Sequence, residues 1–147
     1  MSNHESLLRE AVHLAQANRA RGGRPFGAVL ARDGQLIATG VNGIVHSYDP
    51  TSHAEMEAIR AASRRLQSPD LRGCAIYASG HPCPMCLAAL VISGVQEVYY
   101  AFDNNDAAPY GLSSEATYQA LRLTLDPPPL PLIRLDVGIG ADAVYGR

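Results

Sequence analysis

Alternating helical and strand-like segments along 147 residues predict an α/β protein, a three-layer α/β/α sandwich built on a mixed five-stranded sheet. Three observations carry this expectation. An apolar repeat at helical spacing opens the chain, and Asp33-Gly34 between two apolar runs marks an antiparallel hairpin. The later strand-like runs are separated by helical ones, as crossovers between parallel strands require. The length suits one core of its own, so a single domain over residues 1–147 is expected.

Each element has its own signal. Leu7, Leu8, Ala11, Val12, Leu14 and Ala15 recur with helical period until Gly22-Gly23 stops the helix. Phe26 to Ala31 and Leu36 to Val41 read as the two hairpin strands. From His53 to Leu66 the small apolar positions Ala54, Ala58, Ala61 and Ala62 give a helix, which Pro69 keeps from continuing. A strand from Cys74 to Ala78 precedes a helix from Cys83 to Ile92, with Pro84 in its first turn, where a missing N–H costs little, and Gly94 closing it. Val95 to Phe102 alternates as a strand, Asp103 to Gly111 reads as a loop, and a helix is expected around Glu115 to Leu123. The proline run Pro127-Pro128-Pro129-Leu130-Pro131 bars regular structure before a last strand, Leu132 to Val137.

Composition narrows the partners. The formal net charge is −2 and every basic residue is arginine. That balance excludes the broadly cationic surface typical of nucleic-acid-binding domains and favours a small-molecule partner. Arg19, Arg21 and Arg24 form one small cluster and Arg60, Arg64 and Arg65 another, both read as solvated faces. No apolar run reaches membrane-spanning length, and Met1-Ser2-Asn3-His4-Glu5 has no basic region leading into an apolar core, so a cytoplasmic protein is expected.

Two segments carry chemistry, His53-Ala54-Glu55 and Pro82-Cys83-Pro84-Met85-Cys86. One imidazole and two thiolates can hold a zinc ion and leave the fourth tetrahedral position to water, whose pKa on the metal falls to roughly 7. Hydrolysis by such a water then needs a carboxylate to take its proton and return it to the departing group. Glu55 is the candidate, and it must stay off the metal. Each segment alone has a plainer reading. Cys-x-x-Cys also marks redox pairs and structural zinc modules, and Ser52 with Glu55 reads as a capping box. On a regular helix, Glu57 rather than Glu55 lies beneath His53. The conjunction of both segments, each at an expected helix start with a strand between, favours the hydrolytic metal site. Helix N-termini also favour thiolate over thiol. Cys74, the third cysteine, reads as a small buried hydrophobe in its strand, and unpaired thiols fit a reducing compartment.

His-x-Glu followed by Pro-Cys-x-x-Cys is the known signature of zinc deaminases that act on nucleobases. With Pro25-Phe26-Gly27-Ala28-Val29, Asn42, Asp49-Pro50-Thr51 and Met56, the chain resembles the cytidine deaminase superfamily, nearest its bacterial guanine deaminase branch, over residues 5 to 125. The resemblance implies a cytidine deaminase-like fold, Zn2+ on His53, Cys83 and Cys86, and Glu55 as proton shuttle. It implies further that Asn42 and the Ala54 backbone hydrogen-bond the heterocycle, that Phe26 packs beside it, and that Glu57 is structural. Without it, Asn42 reads as a turn residue before Gly43 and Phe26 as core. Guanine is the first expected substrate, converted to xanthine, with another aminopurine, a pterin, a triazine or cytosine behind it. The resemblance also implies a homodimer in which the segment 126–147 crosses to the partner and Tyr145 serves as a lid; the plainer reading of Tyr145 is an exposed aromatic in a loose terminus.

The tRNA-editing adenosine deaminases share this framework, but their basic C-terminal helix has no counterpart in Asp136 to Arg147. Two departures separate the chain from the guanine branch. His81 stands where that branch has glutamate, and it is expected to support the site or face solvent rather than bind the metal. Ser113 and Ser114 replace an acidic pair that reads guanine, a loss of charge-assisted bonding that commonly costs about 1.5–3 kcal/mol.

Overall fold

Five strands form one sheet in the order β2-β1-β3-β4-β5: β1 is Gly27–Arg32, β2 Gln35–Val41, β3 Cys74–Gly80, β4 Glu97–Phe102 and β5 Leu132–Arg134. β1 runs antiparallel to β2 and β3, whereas β3, β4 and β5 are parallel. The computed structural model describes residues 3–146; Met1, Ser2 and Arg147, the ends of the expected 1–147 domain, lie outside the described residues. The hairpin turn is the expected one, with Asp33 and Gly34 both at positive φ, 53° and 76°.

Period-two alternation sends neighbouring side chains to opposite faces. Val29, Ala31, Tyr77, Tyr99 and Ala101 face α1 (Asn3–Ala20), meeting Leu8, Ala11, Val12 and Ala15. Ala28, Leu30, Ile76 and Val98 face α3 (Ala54–Leu66) and α4 (Pro84–Ser93), against Ala58, Ala62, Leu87 and Leu90. The mixed five-stranded sheet between two helical layers matches the expected fold class. No described helix is long and apolar enough to cross a membrane.

Several boundaries depart from the sequence-based expectation. A one-turn helix, α2 (Ile44–Ser47), follows β2, and the expected loop after β4 contains α5 (Asn104–Ala107), capped reciprocally by Asp103 and Asp106, and a 3-10 turn over Ala108–Tyr110. Such short turns have too few residues to show a period. α6 (Glu115–Ala120) stops before the expected Leu123, because Leu121 and Leu123 are exposed and Arg122 takes a left-handed φ of 54°. β5 ends at Arg134 rather than Val137, where Asp136 Oδ1 accepts from Gly138 N at 2.8 Å and turns the chain. Beyond it lies an unexpected helix, α7 (Ala141–Tyr145), with Val144 and Tyr145 buried. Tyr145 is 5% exposed, so the loose-terminus reading is corrected. α7 lies against α1, where Gln16 Nε2 donates to Ala143 O at 3.2 Å.

The position of α3 depends on one absent side chain. A Cβ on Gly40 of β2 would come within 2.3 Å of Ala54 O and 2.5 Å of Ala58 N. Glycine lets the helix backbone settle directly on the strand, and Ala54 and Ala58 continue that close contact with no exposed area. Gly40→Ala is therefore expected to cost about 1–3 kcal/mol, the usual penalty for overpacking. Urea unfolding measures it, and weakened metal uptake should accompany the displacement of α3.

Candidate active site

Both helices that carry the chemistry begin at ligand residues. His53 is the N-cap of α3, with extended φ and ψ of −81° and 155°, and Cys83 is the N-cap of α4, at −69° and 168°. Ser52 is therefore not the N-cap, and His53 makes no side-chain cap hydrogen bond. The capping-box reading fails because the chain turns helical one residue later than it assumed. At α4 the Cys83 sulfur itself accepts from Cys86 N at 3.5 Å, and Pro84 occupies the first turn as expected.

His53 Nδ1 lies 3.4 Å from Cys83 Sγ and 3.5 Å from Cys86 Sγ. Zinc bonds of about 2.3 Å to sulfur and 2.0–2.1 Å to nitrogen, opened to the tetrahedral angle, separate those atoms by about 3.5 Å. All three ligand atoms fall within 4.8 Å of one another, and among the described residues no other His, Cys, Asp or Glu joins the group. Three soft or borderline ligands with a fourth direction open suit a catalytic zinc ion rather than a closed structural site.

The electrostatics of the metal-free protein fit the same use. The hydrogen bond from the Cys86 thiol, with His53 assisting, brings Cys83 down to about 4 despite burial. Cys86 keeps its proton well above the usual thiol range, chiefly because it donates to Cys83 and is buried. The hydrogen bond to Cys83 also raises His53. Burial pushes the Glu55 carboxyl up to about 7, with the Cys83 charge adding and the Glu55 amide, His53 and the Cys86 thiol opposing. Glu55 is 7% exposed. Glu57 turns away and pairs with Arg60.

A cavity of about 390 Å³ opens over these groups, within the size range of small-ligand sites. It brings together Phe26, Asn42, Ala54 and Glu55 with His53 and Cys83. Asn42 serves both readings: its Oδ1 accepts from Ile44 N at 3.1 Å as a turn residue would, yet the side chain is buried at the cavity wall. His81 also lines the cavity but stays outside the ligand group; burial lowers its pKa, and its ring meets Tyr100 and Tyr118 edge-on at 4.9 and 5.8 Å. Ser113 and Ser114 line the wall with their hydroxyls engaged locally, Ser113 Oγ accepting from Glu115 N and Ser114 Oγ donating to Asn104 Oδ1. Tyr145 packs behind Phe26, with ring centroids 5.8 Å apart. Cys74 is buried in β3, as expected.

Two contributors escaped the sequence reading. Tyr118 is buried on α6 and donates to Pro82 O at 2.5 Å, tethering the segment that enters the cysteines. Its only sequence signal was an aromatic in an otherwise polar helix. Arg24 lines the cavity rather than a purely solvated face, because Gly22-Gly23 and Pro25 turn it back toward the site.

Fold and site together define a hydrolytic deaminase. The family model for the cytidine and deoxycytidylate deaminase zinc-binding region matches residues 1–102, and the chain belongs to that family. It is 43% identical to the guanine deaminase of Bacillus subtilis over 120 residues, 81% of this chain and 77% of the relative. A crystal structure of that guanine deaminase superposes with a TM-score of 0.79 at 39% identity, covering 92% of this chain and 86% of the other. A tRNA-specific adenosine deaminase from Aquifex aeolicus is 41% identical over 97 residues, 66% of this chain and 64% of the relative.

Because Cys86 holds a proton that a metal ligand must lose, zinc uptake at pH 7 should release roughly one to two protons per ion, the second from the raised His53. Affinity should climb as pH rises. Zinc titration in weakly buffered indicator measures the protons, and Cys83→Ser or Cys86→Ser should lose both the metal and thermal stability.

Proposed function

We propose that the protein releases ammonia hydrolytically from an amino-substituted nucleobase, with guanine the first candidate, using zinc held by His53, Cys83 and Cys86. The supporting observation is the placement of a buried carboxyl, Glu55, beside three ligand atoms at tetrahedral zinc spacing, at the floor of a base-sized cavity. Zinc at this position supplies a Lewis acid that makes a water molecule nucleophilic near neutral pH.

Glu55 does the proton work. Burial raises the proton affinity of the carboxyl, which brings it closer to accepting and returning a proton near neutral pH, as general acid–base catalysis needs. It takes one proton of the attacking water and hands it to the ring nitrogen beside the amino-bearing carbon, then takes the second from the hydroxyl now on that carbon and passes it to the leaving amine, so that ammonia departs as the carbonyl forms. Phe26 offers an apolar face to the ring. Asn42 presents its amide nitrogen to the heterocycle, its oxygen being held by Ile44 N. The Ala54 backbone, in the first turn of α3, faces a polar ring substituent. Guanine is favoured by the similarity to the Bacillus subtilis guanine deaminase, while Ser113 and Ser114 weaken the reading of its donor edge. This reading includes a cytoplasmic homodimer.

Adenosine in tRNA is the second reading, supported by the Aquifex aeolicus relative. The net charge of −2 ranks it lower. Ammonia release across guanine, 2,6-diaminopurine, adenine, cytosine, a pterin and an aminotriazine tests the proposal. Guanine should rank first, and a tRNA anticodon stem–loop should gain no inosine. Glu55→Gln should keep a full complement of zinc by elemental analysis yet lose about 10²–10⁴-fold in kcat; retained activity would remove Glu55 from its role.

A further inference from the structure

Arg24 is the one arginine lining the cavity, and Glu55 the one carboxylate, among the described residues. They differ in depth. Glu55 and Cys86 are buried at the floor, whereas Arg24 and Pro50 are exposed at the mouth. The Arg24 guanidinium has no ion-pair partner among the described residues, whose three pairs are Arg60 with Glu57, Arg72 with Asp70 and Arg134 with Asp106.

Its backbone, by contrast, is fixed. The Arg24 carbonyl accepts from Asn18 Nδ2 at 2.8 Å and from Phe26 N at 2.8 Å. Asn18 is 3% exposed, and the same amide nitrogen donates to Asn42 O at 2.9 Å. One buried side chain thus ties the backbone of Arg24 to the backbone of Asn42. Gly23 leaves room for that tie, since a Cβ there would sit 2.6 Å from Asn18 Nδ2. An unpaired surface arginine on a floating loop would mean little; here a fixed backbone carries an arginine that lines the cavity and has no ion-pair partner among the described residues.

Two of the polar groups on the wall can donate, whereas Ser114, whose hydroxyl donates to Asn104 Oδ1, is left an acceptor. Asn42 Oδ1 accepts from Ile44 N and its amide N–H groups can donate, and Ser113 Oγ accepts from Glu115 N and keeps its proton to donate. The mouth therefore offers positive charge, with the Asn42 and Ser113 donors on the wall, and this calls for negative charge on the ligand.

We infer that Arg24 is a specificity determinant that receives an anionic substituent, phosphate or carboxylate, on the end of the heterocycle farthest from the amino-bearing carbon. The inference rests on the deaminase reading, since the reacting carbon must face the floor for the far end to reach the mouth. For a guanine-type base that end is the imidazole ring. A planar guanidinium suits either anion through paired N–H donors. At an exposed rim the gain should be about ten-fold in affinity, shrinking as salt rises.

Calorimetry on zinc-loaded Glu55→Gln protein, which binds without turnover, tests this with guanosine, guanosine 5′-monophosphate and guanine carrying either a methyl or a carboxymethyl group at N9. Each anionic compound should bind about ten-fold tighter than its neutral counterpart at low salt. That ratio should approach one in the double variant with Arg24→Ala and recover in part with Arg24→Lys. Which anion gains more identifies the source, nucleotide or carboxylate. The proposal is overturned if the anionic compounds fail to bind, bind no tighter than the neutral ones, or keep their advantage in Arg24→Ala. It is equally overturned if Arg24→Ala weakens only a tRNA stem–loop. Ammonia release by native protein is read separately: none from any compound, with the binding ratio intact, sinks the deaminase reading and leaves the anion site standing.

Discussion

Two helix N-termini meet at a single point, and the rest of the site follows from that meeting. Residues at the start of α3 and α4 have free N–H groups and a partial positive charge, which ordinarily go to solvent or to a capping side chain. Here the N-cap residues are His53 and Cys83, and Cys86 sits in the first turn of α4. The polarity that would be a cost of burying two helix ends works in the same direction as the Cys86 hydrogen bond that lowers the proton affinity of Cys83, while Cys86 itself keeps its proton until a metal displaces it. A site that must strip protons from sulfur to bind a metal is thus assembled where the backbone already favours the anion.

The sheet explains why the two ends coincide. β3 delivers the chain to His81, Pro82 and Cys83 at the carboxyl edge of the parallel strands, where ligand crevices of open α/β sheets lie. His81 N donates to Phe102 O at 2.8 Å, so the entry to α4 is pinned to the end of β4, and Tyr118 holds Pro82 from the other side. α3 is set from the opposite direction by its contact with Gly40 and the small residues Ala54 and Ala58. Neither anchor is itself chemical. Together they hold nitrogen and sulfur atoms at a spacing that no flexible pair of loops would keep without a metal.

Much of this was legible in the sequence because it is local. The hairpin turn, the helix stop at Gly94, the helix starts at the two motifs and the buried Cys74 each follow from a few neighbouring residues, and the three residues that could hold a metal are picked out by residue type and spacing. What stayed hidden depends on distant partners. Tyr118 reaches Pro82 across 36 positions, and the backbone of Arg24 is held by Asn18 on α1, whose amide also reaches Asn42 O, 24 positions away. α7 is five residues long and shows no period, so its burial against α1 comes from tertiary contact. Tyr145 follows the same logic: its ring is placed by Phe26, Phe102 and Tyr110, none near it in the chain.

The choice between Glu55 and Glu57 shows where helical reasoning holds and where it breaks. The rule that residues three or four apart share a face assumes that both lie within the helix. His53 does not. Its extended backbone swings the imidazole off the end of α3, toward the cysteines, so the helical residue best able to reach the metal ligands is one in the opening turn. Glu55, two residues into that turn, hydrogen-bonds the Cys86 thiol and is buried beside the ligands. Glu57 is left on the flank, where Arg60 and half-exposure to solvent keep its charge occupied. The spacing His-x-Glu therefore has meaning only at a helix start, with the first residue as cap. Within a helix the same three residues would point the acid away from the metal.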